Sequence, residues 1–89
     1  MKKKVGLLLL IIVFAFSSCS LQYTFEFVNE SSYIIYIQPN GQDWDSFYLD
    51  VDDDRSVTIN ESTIYFIYDH AGLVGCDNSE KGKIIFTDK

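Results

Sequence analysis

The chain has few of the residues that catalytic and metal sites require. It contains one histidine, His70, and two cysteines, Cys19 at the end of an apolar segment and Cys76 in the remainder of the chain. The remainder thus has one histidine and one free cysteine, which cannot furnish the three or four ligands of a zinc site. A Ser–His–Asp arrangement would have to use His70, and we expect the neighbouring Asp69 to point away from it. A glycosidase needs a deep sugar cleft, which so short a chain can hardly line. We therefore predict a protein that is not an enzyme and has no cofactor.

Basic residues are also scarce. Lys2, Lys3 and Lys4 are three of the seven Lys and Arg residues, whereas all thirteen Asp and Glu residues follow Cys19. Residues 19–89 thus contain four basic and thirteen acidic residues, a net charge of −9. Because nucleic-acid binding depends on a basic surface, we exclude DNA and RNA as partners.

No apolar run in the sequence is long enough to cross a membrane as a helix. A spanning helix needs about 17–25 apolar residues, whereas the longest run, residues 5–16, has about a dozen. The three lysines that precede this run complete the pattern of a secretory signal. We predict a helical signal peptide over residues 1–18.

The end of this segment resembles a bacterial lipobox, in which a cysteine is acylated and the peptide before it is removed. Ser17 and Ser18 precede Cys19, although Phe16 stands where the lipobox usually has Leu. The resemblance implies a lipid on Cys19, a lipidated tether over residues 19–22, and a location in the bacterial cell envelope, anchored to a membrane after export. The alternatives are a soluble secreted protein that is cut nearby, or a cut that leaves Cys19 as an ordinary thiol.

The remainder of the chain alternates between apolar and polar residues in short segments, which is the pattern of half-buried strands. We predict one all-β domain over residues 23–89, a small antiparallel β-sandwich or barrel of about six strands. Residues 69–83 are predicted to be a loop with one helical turn near its start, in which Cys76 is a small, partly buried residue or takes an intermolecular role. The predicted strands are residues 23–27, 33–37, 46–49, 56–60, 63–68 and 84–86, the first two forming a hairpin.

The same alternation predicts which side chains are buried. One face of each strand should contribute to a core between two layers. The expected core residues are Phe25, Phe27, Ile35, Ile37, Trp44, Phe47, Leu49, Val57, Ile59, Phe66 and Phe86.

Several short motifs in this part of the chain form a familiar combination. A strand that ends near Asn29, the turn Pro39-Asn40-Gly41 and a closing Ile84-Ile85-Phe86-Thr87 resemble small bacterial lipoproteins with one immunoglobulin-like β-sandwich domain. The resemblance covers essentially the whole chain. It implies a fold and a location, and no catalytic residues.

Two of the predicted strands are apolar on both faces. If one face of each packs in the core, Ile34 and Tyr36 on one strand and Tyr65 and Ile67 on the other are left on the outside. We interpret these four residues as an interaction surface. It would dock an unknown envelope protein or a second copy of the chain.

An acidic run supports an alternative function. From Asp50 to Glu61 the acids match four ligand positions of an EF-hand loop, but Arg55 replaces the required glycine and no helices flank the run. We therefore predict no metal site and an Asp-rich hairpin turn, with Asp50, Asp52 and Asp54 as secondary candidates for a weaker calcium site. The alternative function is an acidic module that binds calcium or a cationic protein such as a cell-wall hydrolase.

Overall fold

The computed structural model describes residues 21–89, so the predicted signal peptide and Cys19 lie outside the described part of the chain. Residues 21–89 contain seven β-strands and no α-helix. The strands are β1 (Tyr23–Asn29), β2 (Ile35–Pro39), β3 (Phe47–Leu49), β4 (Asp54–Ile59), β5 (Phe66–Tyr68), β6 (Val74–Asp77) and β7 (Lys83–Asp88).

The strands form two separate sheets. The four-stranded sheet has the order β4-β1-β7-β6, and the three-stranded sheet has the order β3-β2-β5. Their inner faces enclose one hydrophobic core, which confirms the predicted all-β sandwich rather than the barrel. An immunoglobulin constant-type sandwich also has four and three strands, but it places its first two strands in the same sheet, whereas β1 and β2 are in different sheets here.

The pairing of the strands differs from the prediction in two respects. Four of the five strand pairs are antiparallel, whereas β1 and β7 run parallel. This parallel pair places Phe27 of β1 and Phe86 of β7 in the core with stacked rings, 6.3 Å apart between centroids. The predicted hairpin of β1 and β2 is wrong, because the two strands lie on opposite sides of the core, where each buries its own inner face.

Strand β6 lies inside the segment that was predicted to be a loop. Its one large apolar residue, Val74, is fully buried, and its backbone pairs with β7. A single apolar residue next to a glycine gives too short an alternation to indicate a strand. The predicted turn precedes β6, since the backbone N–H groups of Leu73 and Val74 both donate to the carbonyl oxygen of His70, at 2.8 and 2.9 Å.

Phe27 is at the centre of the core. Its ring centroid lies 5.2–6.3 Å from those of four other aromatic rings, Trp44, Phe47, Phe66 and Phe86. The predicted core is confirmed for eight residues, while Phe25, Trp44 and Phe66 are partly buried at its margin. Val74 and Ile84 are buried core residues that the alternation did not predict.

Asn29 is a fully buried polar residue at the point where the chain leaves the four-stranded sheet. Its side-chain amide donates to the carbonyl oxygens of Tyr33, Leu49 and Asp50 at 2.7–3.1 Å. Its amide oxygen accepts hydrogen bonds from the N–H and the hydroxyl of Ser31. The chain passes from one sheet to the other in the connections β1–β2 and β3–β4. Because the side chain of Asn29 forms hydrogen bonds with backbone groups of both connections, it fixes their positions.

Candidate functional site

The two sheets differ in the chemistry of their outer faces. On the four-stranded sheet, the hydroxyl oxygens of Thr24 and Thr58 lie 3.0 Å apart and share a hydrogen bond. On the same sheet, the ammonium group of Lys83 lies 4.0 Å from a carboxylate oxygen of Glu26. This face has polar cross-strand pairs of the kind that are usual where a sheet meets water, together with one half-buried apolar pair, Val28 opposite Ile85.

The outer face of the three-stranded sheet is apolar and aromatic. Ile34 and Ile67 are each 52% exposed, Tyr65 is 56% exposed and Tyr48 is 70% exposed. Tyr36 lies between them and is half-buried. We call these five residues the apolar outer face. An exposed apolar group of this kind is typical of an interaction surface.

The register of the strands brings these side chains to one side of the sheet. In β2 the buried Ile35 and Ile37 alternate with Tyr36, and Tyr36 is directly opposite Tyr48 of β3, with ring centroids 4.5 Å apart. On the other side of β2, Gln38 is opposite Ile67. Since directly opposed residues share a face, all three strands contribute to the apolar outer face.

The structure thus places on one face the four residues that the sequence singled out for interaction, with Ile34 near one end of the face and Tyr65 near the other. Ile34, Tyr65 and Ile67 are exposed there, whereas Tyr36 is half-buried because Tyr48 covers part of its ring. Tyr48 was not among the predicted interaction residues. Its position between the buried Phe47 and Leu49 was the signal that could have identified it.

Gln42 fixes the end of the apolar outer face that contains Tyr65. Its amide oxygen accepts hydrogen bonds from the backbone N–H of Tyr65 at 2.8 Å and from the indole N–H of Trp44 at 3.2 Å. Its amide nitrogen donates to the carbonyl oxygen of Thr63 and to a carboxylate oxygen of Glu61, both at 2.8 Å. These hydrogen bonds hold the backbone of the loop in which Tyr65 lies.

Two carboxylates border the apolar outer face. Asp69 follows β5, and its Oδ1 accepts a hydrogen bond from the backbone N–H of Tyr36 at 2.8 Å. Asp50 follows β3, one residue beyond the pair formed by Leu49 and Ile35, and so stands beside Ile34. The negative charges thus lie at both lateral edges of the face.

The acidic turn is a corner between the two sheets and not the predicted hairpin. It joins β3 to β4, which belong to different sheets. The Oδ1 atoms of Asp50 and Asp53 accept hydrogen bonds from the N–H groups of the residues that follow them, both at 2.9 Å, and Asp52 has a left-handed backbone with φ of 61°. Within residues 21–89 no three His, Cys, Asp or Glu side chains are placed to hold a metal ion, so the candidates Asp50, Asp52 and Asp54 are not gathered into a ligand set.

His70 is close to Asp69, and the prediction that Asp69 points away from it was wrong. The Oδ2 atom of Asp69 lies 3.6 Å from Nε2 of His70. His70 has a left-handed backbone with φ of 57°, and its ring lies against that of Tyr33, with centroids 5.6 Å apart. The side chains of His70 and Asp69 are 44% and 46% exposed.

Cys76 is in strand β6 and is exposed, whereas the sequence placed it in a loop as a partly buried residue. The pKa of its thiol is nevertheless raised, first by the desolvation of the sulfur and then by the charge of Asp77. A thiol with a raised pKa is mostly protonated at neutral pH and is a weak nucleophile. The position does not favour a reactive role for Cys76.

Hollows in the surface of residues 21–89 include a polar and open one of about 460 Å³, with Asp43 and Glu61 among its lining residues. A more open one, of about 320 Å³, lies between Glu61 and Tyr65. Another, of about 210 Å³, is partly lined by Phe25 and is smaller than the usual 300–1,000 Å³ of a small-molecule site. None of these three hollows combines an enclosed apolar wall with converging polar groups.

Comparison with protein-family models, with curated proteins and with solved structures gives no match. Within residues 21–89, no helix has the length and apolar character needed to cross a membrane.

Proposed function

We propose that this chain is a lipid-anchored protein of the bacterial cell envelope that acts as a non-enzymatic interaction module. In this proposal Cys19 carries the lipid, and the apolar outer face docks another envelope protein. The observation that carries the proposal is the contrast between the mainly polar outer face of the four-stranded sheet and the more exposed apolar outer face of the three-stranded sheet. If the outer faces of both sheets only met water, both would carry mainly polar residues.

The position of Leu21, two residues after Cys19, supports the proposal. Tyr23 begins β1 and pairs with Ile59, and Gln42 bonds to both Glu61 and Tyr65. Leu21, which is 76% exposed, therefore lies towards the end of the sandwich that contains Tyr65. Strand β2 runs from Ile34 at the far end back towards this end. A domain tethered at Cys19 would therefore hold the apolar outer face along its side, where it is accessible to a neighbouring protein.

The docking half of the proposal is tested by a pull-down from native envelope with the full-length protein. Ile67→Lys places a charge in the apolar outer face, and Thr58→Lys places the same charge on the outer face of the other sheet. We expect Ile67→Lys to lose a co-purifying protein that both the wild type and Thr58→Lys retain. Equal recovery by the three proteins would contradict the proposal, and recovery of a second copy alone would show self-association instead.

The anchor half is tested by replacing the acylated residue. Cys19→Ala should abolish both acylation and processing, because the variant has no thiol to accept the acyl chain that would hold the mature protein at the membrane. Metabolic labelling with a radioactive fatty acid and the size of the protein on a gel measure the two effects. Cys19→Ala protein that is still labelled and processed like the wild type would contradict the lipid anchor.

A further inference from the structure

We infer that the protein docked on the apolar outer face presents basic side chains, Lys or Arg, among its own apolar residues. The inference rests on the proposed function and specifies the chemistry of the partner. Three features of the described residues support it: the distribution of charge, the tyrosine rings and the net charge of the domain.

The first feature is that strands β2, β3 and β5 contain no basic residue, whereas acids border them. The four basic residues of the described chain are Arg55 in β4, Lys81 before β7, Lys83 in β7 and Lys89 after it. Asp50 and Asp69 stand at the edges of the apolar outer face, as described above. A partner that buries this face would desolvate their carboxylates, and basic groups on the partner would offset that cost.

The second feature is the aromatic character of the face. Tyr36 and Tyr48 have ring centroids 4.5 Å apart, and most of Tyr48 is exposed. Exposed tyrosine rings attract Lys and Arg through their π-electron faces. The exposed Arg55 makes a contact of this type with another aromatic ring of the protein, since its guanidinium carbon lies 4.7 Å from the ring centroid of Phe47.

The third feature is the charge of the whole domain. With four basic and thirteen acidic residues, two copies would each approach the other with a net charge of −9. Like charges slow association and oppose it at close range. A second copy is therefore a poorer occupant of the face than a basic protein.

The test uses the full-length protein in phosphatidylcholine nanodiscs and two synthetic probe peptides of equal length. One peptide alternates Lys with Leu, and the other alternates Glu with Leu. We expect the Lys peptide alone to bind, with a Kd about tenfold weaker at about 500 mM than at about 50 mM sodium chloride. Binding of both peptides with similar Kd, or no effect of salt, would overturn the basic partner.

Charge-neutralising variants locate the effect. Asp50→Asn with Asp69→Asn keeps the oxygen acceptors for the N–H groups of Val51 and Tyr36 while it removes two charges from the edges of the face. The matched control, Asp77→Asn with Glu80→Gln, removes two charges near the β6–β7 turn. We expect the first pair to reduce the salt dependence by at least half and the control to leave it unchanged, and equal effects would overturn the inference.

The outcomes of this test differ from those of the proposed function. If Ile67→Lys abolishes recovery of an envelope protein but that recovery is insensitive to salt, the docking surface stands and the basic partner is wrong. If Ile67→Lys recovers the same envelope protein as the wild type, the docking surface itself is wrong.

Discussion

The side-chain amide of Asn29 donates a hydrogen bond to the backbone carbonyl oxygen of Leu49 at 3.0 Å. This bond joins the end of β1 in one sheet to the end of β3 in the other. The same amide reaches Tyr33 and Asp50, so the two places where the chain changes sheets share one buried partner. The geometry of the three-stranded sheet, and with it the apolar outer face, depends on this residue.

We predict that Asn29→Ala destabilises the domain by about 3 kcal/mol or more, because a buried polar group that loses its partner costs about 1–3 kcal/mol and several groups lose theirs here. This is a large part of the total stability of a small domain. Chemical denaturation measures the change. Asn40→Ala is the control, since the side chain of Asn40 is exposed, and an equal loss in both variants would contradict the role of Asn29.

Strand β3 gives a test of which side chains face the core. Phe47 is 5% exposed, whereas the adjacent Tyr48 is 70% exposed. We expect Phe47→Ala to lower the free energy of unfolding by about 3–5 kcal/mol and Tyr48→Ala to lower it by about 1 kcal/mol or less. Thermal or denaturant unfolding of the two variants measures these changes. A Phe47→Ala protein with an unchanged free energy of unfolding would show that the faces of β3 are inverted.

The acidic corner should behave as a solvated turn. Asp53→Asn keeps an oxygen that accepts the hydrogen bond from Asp54 N–H and removes one of several repelling charges. It should therefore be neutral or stabilising by up to about 0.5 kcal/mol, with a larger effect at low salt. The melting temperature should also respond equally to calcium chloride and to sodium chloride of matched ionic strength, and a rise specific to millimolar calcium would instead support the calcium site.

Asp88 should make the stability of the domain depend on pH in the acidic range. Its pKa is lowered because its carboxylate accepts hydrogen bonds from the hydroxyl and the backbone N–H of Ser32. The folded state thus favours the ionised form, so this stabilisation is present above the pKa of the unfolded chain and is lost as the pH falls through the lower folded value. In Ser32→Ala the pKa of Asp88, measured by carbon NMR, should rise towards its ordinary value, and no change would contradict this assignment.

Sequence alternation was sufficient to predict the fold class and most of the core. The reason is that strands such as β1 and β4 bury every second residue, as in Phe27 and in Val57 and Ile59. Alternation reports which face is buried but not which strand is the neighbour. The parallel pairing of β1 with β7 was therefore not accessible from the sequence, nor was the placement of β1 and β2 in different sheets.

The candidate site was predicted in part for the same reason. Ile34, Tyr36, Tyr65 and Ile67 could be identified because their strands are apolar on both faces, but their convergence on one surface depends on the pairing of β2 with β5. Tyr48 and the buried role of Asn29 depend on tertiary contacts. Asn29 read as an ordinary turn residue, since its type is common in turns and only the fold shows the five polar groups around it.

The most direct measurement of the docking surface is site-specific photo-crosslinking of the full-length protein in native envelope. A photoreactive phenylalanine analogue replaces Tyr48 in one variant and Thr58 in the other, so that the probe stands on the outer face of one sheet or the other. We expect a discrete adduct with another envelope protein from position 48, and a much lower yield from position 58. Equal yields from both positions, or no adduct from position 48, would contradict it.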